Sequence, residues 1–203
     1  MLSGGIGVFV CMILNEYNKP RPLKVARAIL AYMALSQEET GRLIELLAKM
    51  ERPYSEELFQ ALCASVIMSP IEVVPLTREG KVLLIQRPPD DPKFANLWHS
   101  PGSLQLKGDT VQTTFNRVIV EELQGVEYSA PEYIGFEDVM HGTGPKENPR
   151  GQERPLVFVV WVKEEGYAGP GRFFPLNSLP ENIITNHKNL LLPLVRAKYF
   201  PTL

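Results

Sequence analysis

Cysteine is scarce in this sequence, and neither sign of charge is in excess. The two cysteines, Cys11 and Cys63, cannot make a disulfide framework, and no CxxC pair indicates a zinc site. The formal net charge is -2, so no strong positive field draws the chain to nucleic acid or to an anionic membrane. We therefore expect a protein of the reducing cytoplasm that has neither nucleic acid nor a membrane among its partners.

Apolar runs of membrane-spanning length are also absent. The run at residues 6–14 is far shorter than the roughly 20 residues that a transmembrane helix needs. It lacks the basic start of a secretory signal, so we interpret it as a buried strand or helix segment. The sequence contains no internal repeat and no low-complexity tract.

Residues 1–70 show helical periodicity. Apolar residues at helical spacing predict a first helix over residues 22–35. A capping box at residues 36–39 opens a second helix, which Pro53 closes. Ser55 and the acidic residues after it predict a third helix, because a serine cap and negative charge both stabilise a helix start.

This N-terminal stretch carries balanced charge. It contains seven Lys or Arg residues and seven Asp or Glu residues, whereas a DNA-reading module normally has a basic surplus. Its apolar faces indicate packing against the rest of the chain or against a second copy. We expect a small helical extension over residues 1–70 with a dimerisation or lid role, and a homodimer.

Residues 71–203 alternate strands and helices. Two apolar segments flank the turn containing Gly80 and predict a hairpin. The continuously apolar stretch over residues 157–162 predicts a strand that is buried on both faces. The fold class is therefore α+β, a mixed sheet sandwiched between helices and preceded by the small helical unit.

The predicted helix over residues 111–123 contains candidate metal ligands. Phe115, Ile119 and Leu123 recur at helical spacing and form an apolar stripe that faces the core. Glu121 and Glu122 lie beside this stripe, and adjacent carboxylates repel each other unless a cation neutralises them. Hard oxygen ligands suit Mg²⁺ or Mn²⁺, which bind one or two carboxylates together with substrate phosphates. The alternative is a solvated acidic face.

The sequence around Glu121 and Glu122 decides between a metal site and a solvated acidic face. The segment resembles the box of the Nudix family, GX5EX7REUXEEXGU, in which U is a bulky aliphatic residue. Laid on that pattern, the box positions are held by Ser103, Asp109, Arg117, Val118, Ile119, Glu121, Glu122 and Gln124. The strict pattern fails at four of them: Ser103, Asp109, Val118 and Gln124.

Flanking segments strengthen the resemblance. KVLLIQRP resembles a family strand that ends in an arginine, here Arg87, and NLWHSPGS resembles the stretch leading into the box, with Trp98 and Pro101 in their usual places. A late aromatic strand and a closing helix follow in the right order. The resemblance covers about residues 71–203 and implies a Nudix fold.

The resemblance also implies an activity and a site. Family members hydrolyse a nucleoside diphosphate linked to another moiety, with a divalent metal held by box carboxylates. Carried over, Glu121 and Glu122 are metal ligands, the carbonyl of Ser103 is a further ligand, and Arg117 orients the glutamates through a salt bridge. Arg87, Trp98 and Arg154 are candidates for substrate binding, with packing as the alternative for Trp98.

Val118 is the departure that matters, because valine offers neither a metal ligand nor a proton acceptor where the family has a glutamate. A replacement is expected from residues 141–153, with Glu153 as the first choice for a catalytic group and His141 as the second. The leading hypothesis is thus a hydrolase weakened at Val118. The alternative is a non-catalytic nucleotide-binding module with a regulatory or partner-binding role.

Overall fold

A computed structural model of the protein describes residues 35–50, 54–124 and 126–202. The apolar run at residues 6–14, the first predicted helix up to residue 34, and Pro53 lie outside the described residues. The chain divides into two compact units, Met1–Tyr54 and Ser55–Leu203.

The described helices of the N-terminal region begin where their caps predict. Helix α1 spans Gln37–Ala48, and the capping box is confirmed: the Ser36 hydroxyl accepts the Glu39 N–H at 3.1 Å while Glu39 Oε2 accepts the Ser36 N–H at 2.8 Å. Helix α2 spans Glu56–Ser65, with Ser55 as its cap.

The second unit is built on a seven-stranded sheet beside a small two-stranded ladder. The strands in chain order are β1 Pro70–Leu76, β2 Lys81–Gln86, β3 Trp98–His99, β4 Gly102–Leu104, β5 Glu132–Phe136, β6 Met140–His141, β7 Glu147–Asn148, β8 Leu156–Trp161 and β9 Arg172–Pro175. Two further helices complete it, α3 Val111–Glu122 and α4 Leu192–Tyr199, the latter preceded by a π-helical turn over His187–Leu191.

The main sheet is mixed. Its strand order is β3-β2-β1-β8-β5, with β4 paired to β1 and β9 to β2. The predicted hairpin joins β1 and β2, which are antiparallel, and Gly80 in its turn has φ of 80°, a value that glycine adopts without strain. Strand β8 runs parallel to β1, and the ladder of β6 with β7 stands apart.

Side chains of β1 alternate between two apolar layers. Ile71 and Val73 pack with Phe115 of α3, whereas Val74 packs with Leu192 of α4 on the other face. Every residue of β1 is buried. The sheet therefore lies between helices, as the sequence predicts.

Helix α2 belongs to the compact unit of the sheet, whereas the boundary predicted from sequence lies at residue 70. The physical reason is close packing: a Cβ at Gly151 would meet the carbonyl oxygen of Cys63 at 1.9 Å, so only glycine allows this approach. Cys63 is itself buried. Within the described residues, no helix is long and apolar enough to cross a membrane.

Candidate functional site

Glu122, the last residue of α3, points its carboxylate at the start of β4. Its Oε2 accepts the backbone N–H of Gly102 at 3.3 Å. Burial raises the pKa of Glu122 to about 7 and the neighbouring Glu121 raises it too, whereas Arg87 lowers it. A carboxylate with this pKa gains strongly from a nearby cation.

Glu72 brings a second carboxylate to the same place from the middle of the apolar strand β1. It is 9% exposed, and its Oε2 is buried without a hydrogen-bond partner among the described residues. A Cβ at Gly102 would lie 2.6 Å from Glu72 Oε1, so a larger residue there would displace the Glu72 carboxylate. Burial raises the pKa of Glu72 well above its ordinary value, and the charges of Glu153 and Glu122 raise it further.

Glu153 supplies a third carboxylate from the segment before β8. Its backbone exchanges two hydrogen bonds of 2.9 Å with Val139, which hold the segment in place. Burial raises the pKa of Glu153, against smaller opposing effects from Asn148, Arg150 and Arg87. Three carboxyl groups from α3, β1 and this segment therefore interact electrostatically in one small region.

Two arginines face this acidic group and share one counter-charge. Arg150 donates to both carboxylate oxygens of Asp91 at 3.2 and 3.1 Å, and the Nε of Arg87 lies 3.8 Å from Asp91 Oδ2. The Nε atoms of both arginines are buried without a hydrogen-bond partner among the described residues. Both arginines line the cavity, so an anion bound there would lie beside two guanidinium groups.

Glu72, Glu153, Arg87 and Arg150 line a cavity of about 70 Å³, and Glu122 borders it through its hydrogen bond to Gly102. Its lining also includes Phe59 of α2, His99 and His187. That volume is well below the several hundred Å³ of a typical pocket for an organic ligand. The cavity has room for an ion, waters or a phosphoryl group, so the rest of a nucleotide would lie outside it.

The donor set fits a divalent cation of the hard type. Oxygen ligands are present, and the unpartnered Oε2 of Glu72 is a buried acceptor of the kind that a cation satisfies. In the part of the chain that the structure describes, no group of three or more His, Cys, Asp or Glu side chains is arranged so that it could hold a metal ion by itself. Mg²⁺ commonly binds one or two carboxylates and completes its shell with water and substrate phosphate. The residues therefore fit a site that the substrate completes.

Among the predicted metal ligands, Ser103 lines the cavity and Glu122 borders it through its hydrogen bond to Gly102. Glu121 is exposed. Ser103 lies on β4 opposite Ile71, and its hydroxyl accepts a hydrogen bond from Arg117 at 3.2 Å. The roles of Glu121 and of the Ser103 carbonyl as ligands stay predictions.

The predicted pairing of Arg117 with the glutamates is wrong. Arg117 forms its salt bridge with Asp109 at 2.9 Å and also donates to the Leu104 carbonyl at 2.8 Å. Asp109 accepts the Leu106 N–H as well, so these contacts brace the loop from β4 to α3. Arg117 thus orients the loop, and the glutamates only indirectly.

Three other predicted residues are not among those that line the cavity. Trp98 packs edge-on against Phe174 at 5.0 Å between ring centroids, which agrees with the packing alternative. Arg154 is exposed and pairs with Asp138 at 2.7 Å. His141 on β6 is exposed. Of the two residues predicted as a replacement for the missing glutamate, Glu153 lines the cavity and His141 does not; the catalytic role of either stays a prediction.

Val118 is fully buried, with 0% of its surface exposed. It packs in the apolar layer with Ile71, Val73 and Phe115. The position where the family pattern has a glutamate is therefore part of the hydrophobic core, and Glu72 on the adjacent strand brings a carboxylate close to Glu122 instead.

Two residues that line the cavity, Glu72 and His99, were not predicted from the sequence. The signal for Glu72 was available, since a single glutamate in the apolar segment PIEVVPL must be buried, and buried carboxylates require a partner. No comparable signal marked His99, because its role depends on contacts with a distant segment.

The comparisons with known proteins agree with this geometry. A model of the NUDIX domain matches residues 69–193. No curated protein matches the chain.

Solved structures share the fold at low sequence identity. A possible asymmetric diadenosine tetraphosphate hydrolase from Jonesia denitrificans is 16% identical, with a TM-score of 0.53 over 69% of this chain and 100% of that one. The NUDIX domain of Shewanella oneidensis NrtR in complex with ADP ribose is 17% identical, with a TM-score of 0.50 over 76% and 97%. NrtR in complex with a 27mer DNA is 18% identical, with a TM-score of 0.50 over 64% and 60%.

The family match covers more than half of the chain and includes the box helix, the strands around it and the segment bearing Glu153. This chain belongs to the Nudix family.

Proposed function

We propose that the protein is a metal-dependent hydrolase that cleaves the pyrophosphate linkage of a nucleoside diphosphate joined to another moiety. The observation that carries this proposal is a cavity lined by Glu72, Glu153, Arg87 and Arg150, with Glu122 hydrogen-bonded to Gly102 of the same lining. Buried carboxylates of raised pKa stabilise a cation, and the adjacent arginines stabilise a phosphoryl anion.

The position of each residue at the cavity suggests its role in the proposed reaction. Glu122 and Glu72 would hold Mg²⁺ or Mn²⁺, with the exposed Glu121 and the carbonyl of Ser103 as further oxygen donors; the metal supplies polarisation of a phosphoryl oxygen when bound. Glu153 is the proposed general base, because its raised pKa brings proton uptake closer to neutral pH. Arg87 and Arg150 would bind phosphate.

The first experiment is a turnover screen of nucleoside diphosphate derivatives with Mg²⁺ or Mn²⁺. ADP-ribose and diadenosine tetraphosphate belong in the panel because structural neighbours bind or are named for them. Glu122→Gln keeps the shape of the side chain and removes its charge, so we expect product release to fall by about 100-fold or more.

Glu127→Gln is the matched control, since Glu127 is an exposed glutamate shortly after the same helix. It should leave the rate unchanged. Absence of turnover for every compound, together with no heat of Mg²⁺ or Mn²⁺ binding in calorimetry, would contradict the hydrolase proposal.

The second candidate is a non-catalytic nucleotide-binding module with a regulatory role. Burial of Val118 in the core favours it, because a catalytic box normally has a carboxylate there. The likeness to NrtR, which has been solved with ADP ribose and with DNA, is compatible with it. Tight binding of ADP-ribose without turnover would favour this candidate. A homodimer in the cytoplasm stays a prediction from the sequence.

A further inference from the structure

Two histidines from distant segments meet at the cavity. His99 ends β3 and His187 begins the π-helical turn before α4, and their ring centroids lie 6.3 Å apart. Both line the cavity that holds the carboxylates. The proposed division of labour above assigns them nothing.

Ser100 determines which nitrogen of His99 carries the proton. The Nδ1 of His99 lies 2.7 Å from the Ser100 carbonyl oxygen. A carbonyl only accepts hydrogen bonds, so Nδ1 is the protonated nitrogen and donates. The Nε2 of His99 therefore keeps a lone pair.

The same residue imposes the opposite tautomer on His187. The Ser100 N–H donates to His187 Nδ1 at 3.1 Å, so this nitrogen is an acceptor and the proton of the neutral ring is on Nε2. Ser100 is rigidly placed, because it is fully buried and its hydroxyl donates to the Val73 carbonyl at 2.8 Å.

Both histidines line the cavity, and their Nδ1 atoms are the ones engaged by Ser100. Among the described residues, neither Nε2 atom has a protein hydrogen-bond partner. Burial, and after it the charge of Arg87, lowers the pKa of each histidine to about 3, so both rings are neutral at pH 7. His187 thus offers a neutral N–H donor, and His99 offers an acceptor that does not take up a proton.

The charged residues near His187 indicate which kind of group its N–H would bind. Arg87 lies within electrostatic reach of both rings, and Arg150 lines the same cavity. A neutral N–H donor beside two guanidinium groups is complementary to an anionic oxygen.

We propose that His187 is a phosphate-binding residue that donates its Nε2–H to a phosphoryl oxygen, and that His99 accepts a hydrogen bond from water beside it. The role in catalysis rests on the proposed hydrolase function, but the binding contact does not. Ser100 acts as the positioning residue, because its backbone determines both tautomers.

Two substitutions of His187 separate binding from structure. An asparagine side chain places its amide near the position of the His187 Nδ1, whereas a glutamine side chain places its amide near the position of Nε2. His187→Asn therefore retains an acceptor for the Ser100 N–H and loses the donor to phosphate. His187→Gln does the reverse. The probe is inorganic pyrophosphate with Mg²⁺, titrated calorimetrically into the full-length protein.

We expect His187→Asn to weaken pyrophosphate binding about tenfold at a nearly unchanged melting temperature, the loss expected for one hydrogen bond to a charged group. His187→Gln should bind within about threefold of the wild type and melt at a lower temperature. Wild-type binding by His187→Asn, or no pyrophosphate binding by the wild type, would overturn the inference.

A spectroscopic readout on the wild type needs no variant. Long-range proton–nitrogen correlation spectra of ¹⁵N-histidine protein should show His187 protonated at Nε2 and His99 at Nδ1. A proton on Nδ1 of His187 would also overturn the inference.

The two proposals fail in different ways. If pyrophosphate binding depends on His187 and no compound is hydrolysed, the hydrolase function fails and the phosphate contact stands. If a compound is hydrolysed and His187→Asn has the wild-type KM and wild-type pyrophosphate affinity, only the phosphate contact fails.

Discussion

At the scale of single residues, two positions depart from expectation in opposite directions: a box position is apolar, and a position in an apolar strand is acidic. Val118 occupies the box position of a glutamate and is enclosed by the core, whereas Glu72 is a glutamate in an otherwise apolar strand. Each would be anomalous alone. Together they leave a carboxylate beside Glu122 while an apolar side chain fills the space under the helix.

The substitution Val118→Glu tests this interpretation. Sequence alone suggests that it restores a ligand, but a carboxylate at a fully buried core position is desolvated without a partner. We expect the free energy of unfolding to fall by about 3 kcal/mol or more, measured by urea denaturation in EDTA. Val118→Ala is the control for lost packing.

Mg²⁺ distinguishes the two interpretations of that variant. If Mg²⁺ raises the stability of Val118→Glu much more than that of the wild type, the new carboxylate reaches the metal site, and our placement of position 118 in the core is wrong.

At the scale of elements, helix α2 is part of the site although it lies outside the family match at residues 69–193. Its Phe59 lines the cavity, and the guanidinium of Arg150 lies over the Phe59 ring at 5.9 Å and over the Phe94 ring at 4.7 Å. The contact of Cys63 with Gly151 fixes the segment between Arg150 and Glu153.

Gly151→Ala should therefore disturb the site through α2. The added Cβ would meet the Cys63 carbonyl at 1.9 Å, so the helix or the segment must shift. We expect a loss of about 2 kcal/mol in stability and a lower kcat, since a small displacement of Glu153 misaligns the proposed base. Thermal unfolding and steady-state kinetics measure the two effects.

Gly41→Ala is the matched control for this prediction. Gly41 lies within α1 and a Cβ there meets nothing within 4 Å, so the same substitution should be neutral or slightly stabilising. Unchanged kinetics in Gly151→Ala would show that α2 does not position the catalytic segment.

At the scale of the whole molecule, the cavity couples stability to pH. Burial raises the pKa of Glu122 to about 7 in the folded protein, so the unfolded chain releases this proton at lower pH than the folded one. Stability from this group is thus lost as the pH rises from about 4.5 through 7. The buried histidines act in the opposite direction, because only the unfolded state protonates them as the pH falls below about 6.5.

The histidines contribute equally to the pH dependence of stability in the wild type and in Glu122→Gln, so a comparison of the two proteins removes their contribution. Without metal, Glu122→Gln should gain about 2 kcal/mol in free energy of unfolding relative to the wild type between pH 5 and pH 8. Urea unfolding in EDTA at four pH values gives the difference, and Mg²⁺ should reduce it by stabilising the wild type. A difference independent of pH would show that Glu122 is not desolvated.

Local patterns predicted the elements well, for physical reasons. The caps at Ser36 and Ser55 and the turn at Gly80 depend on interactions between near neighbours in the chain, and all three are present. The ion pair of Arg117 was assigned to the wrong partner, because helix spacing alone does not show that Asp109 folds back from the preceding loop.

The sequence by itself determined the family, the α+β class and the helix that carries Glu122, since periodicity, capping and motif spacing are local. Only the tertiary structure decided that Glu122 and Glu153 both come close to Glu72, that Val118 lies in the core, and that Ser100 sets opposite tautomers on His99 and His187. Those facts depend on which strands pair and which segments meet across the sheet, and long-range contacts of this kind leave no periodic trace in one sequence.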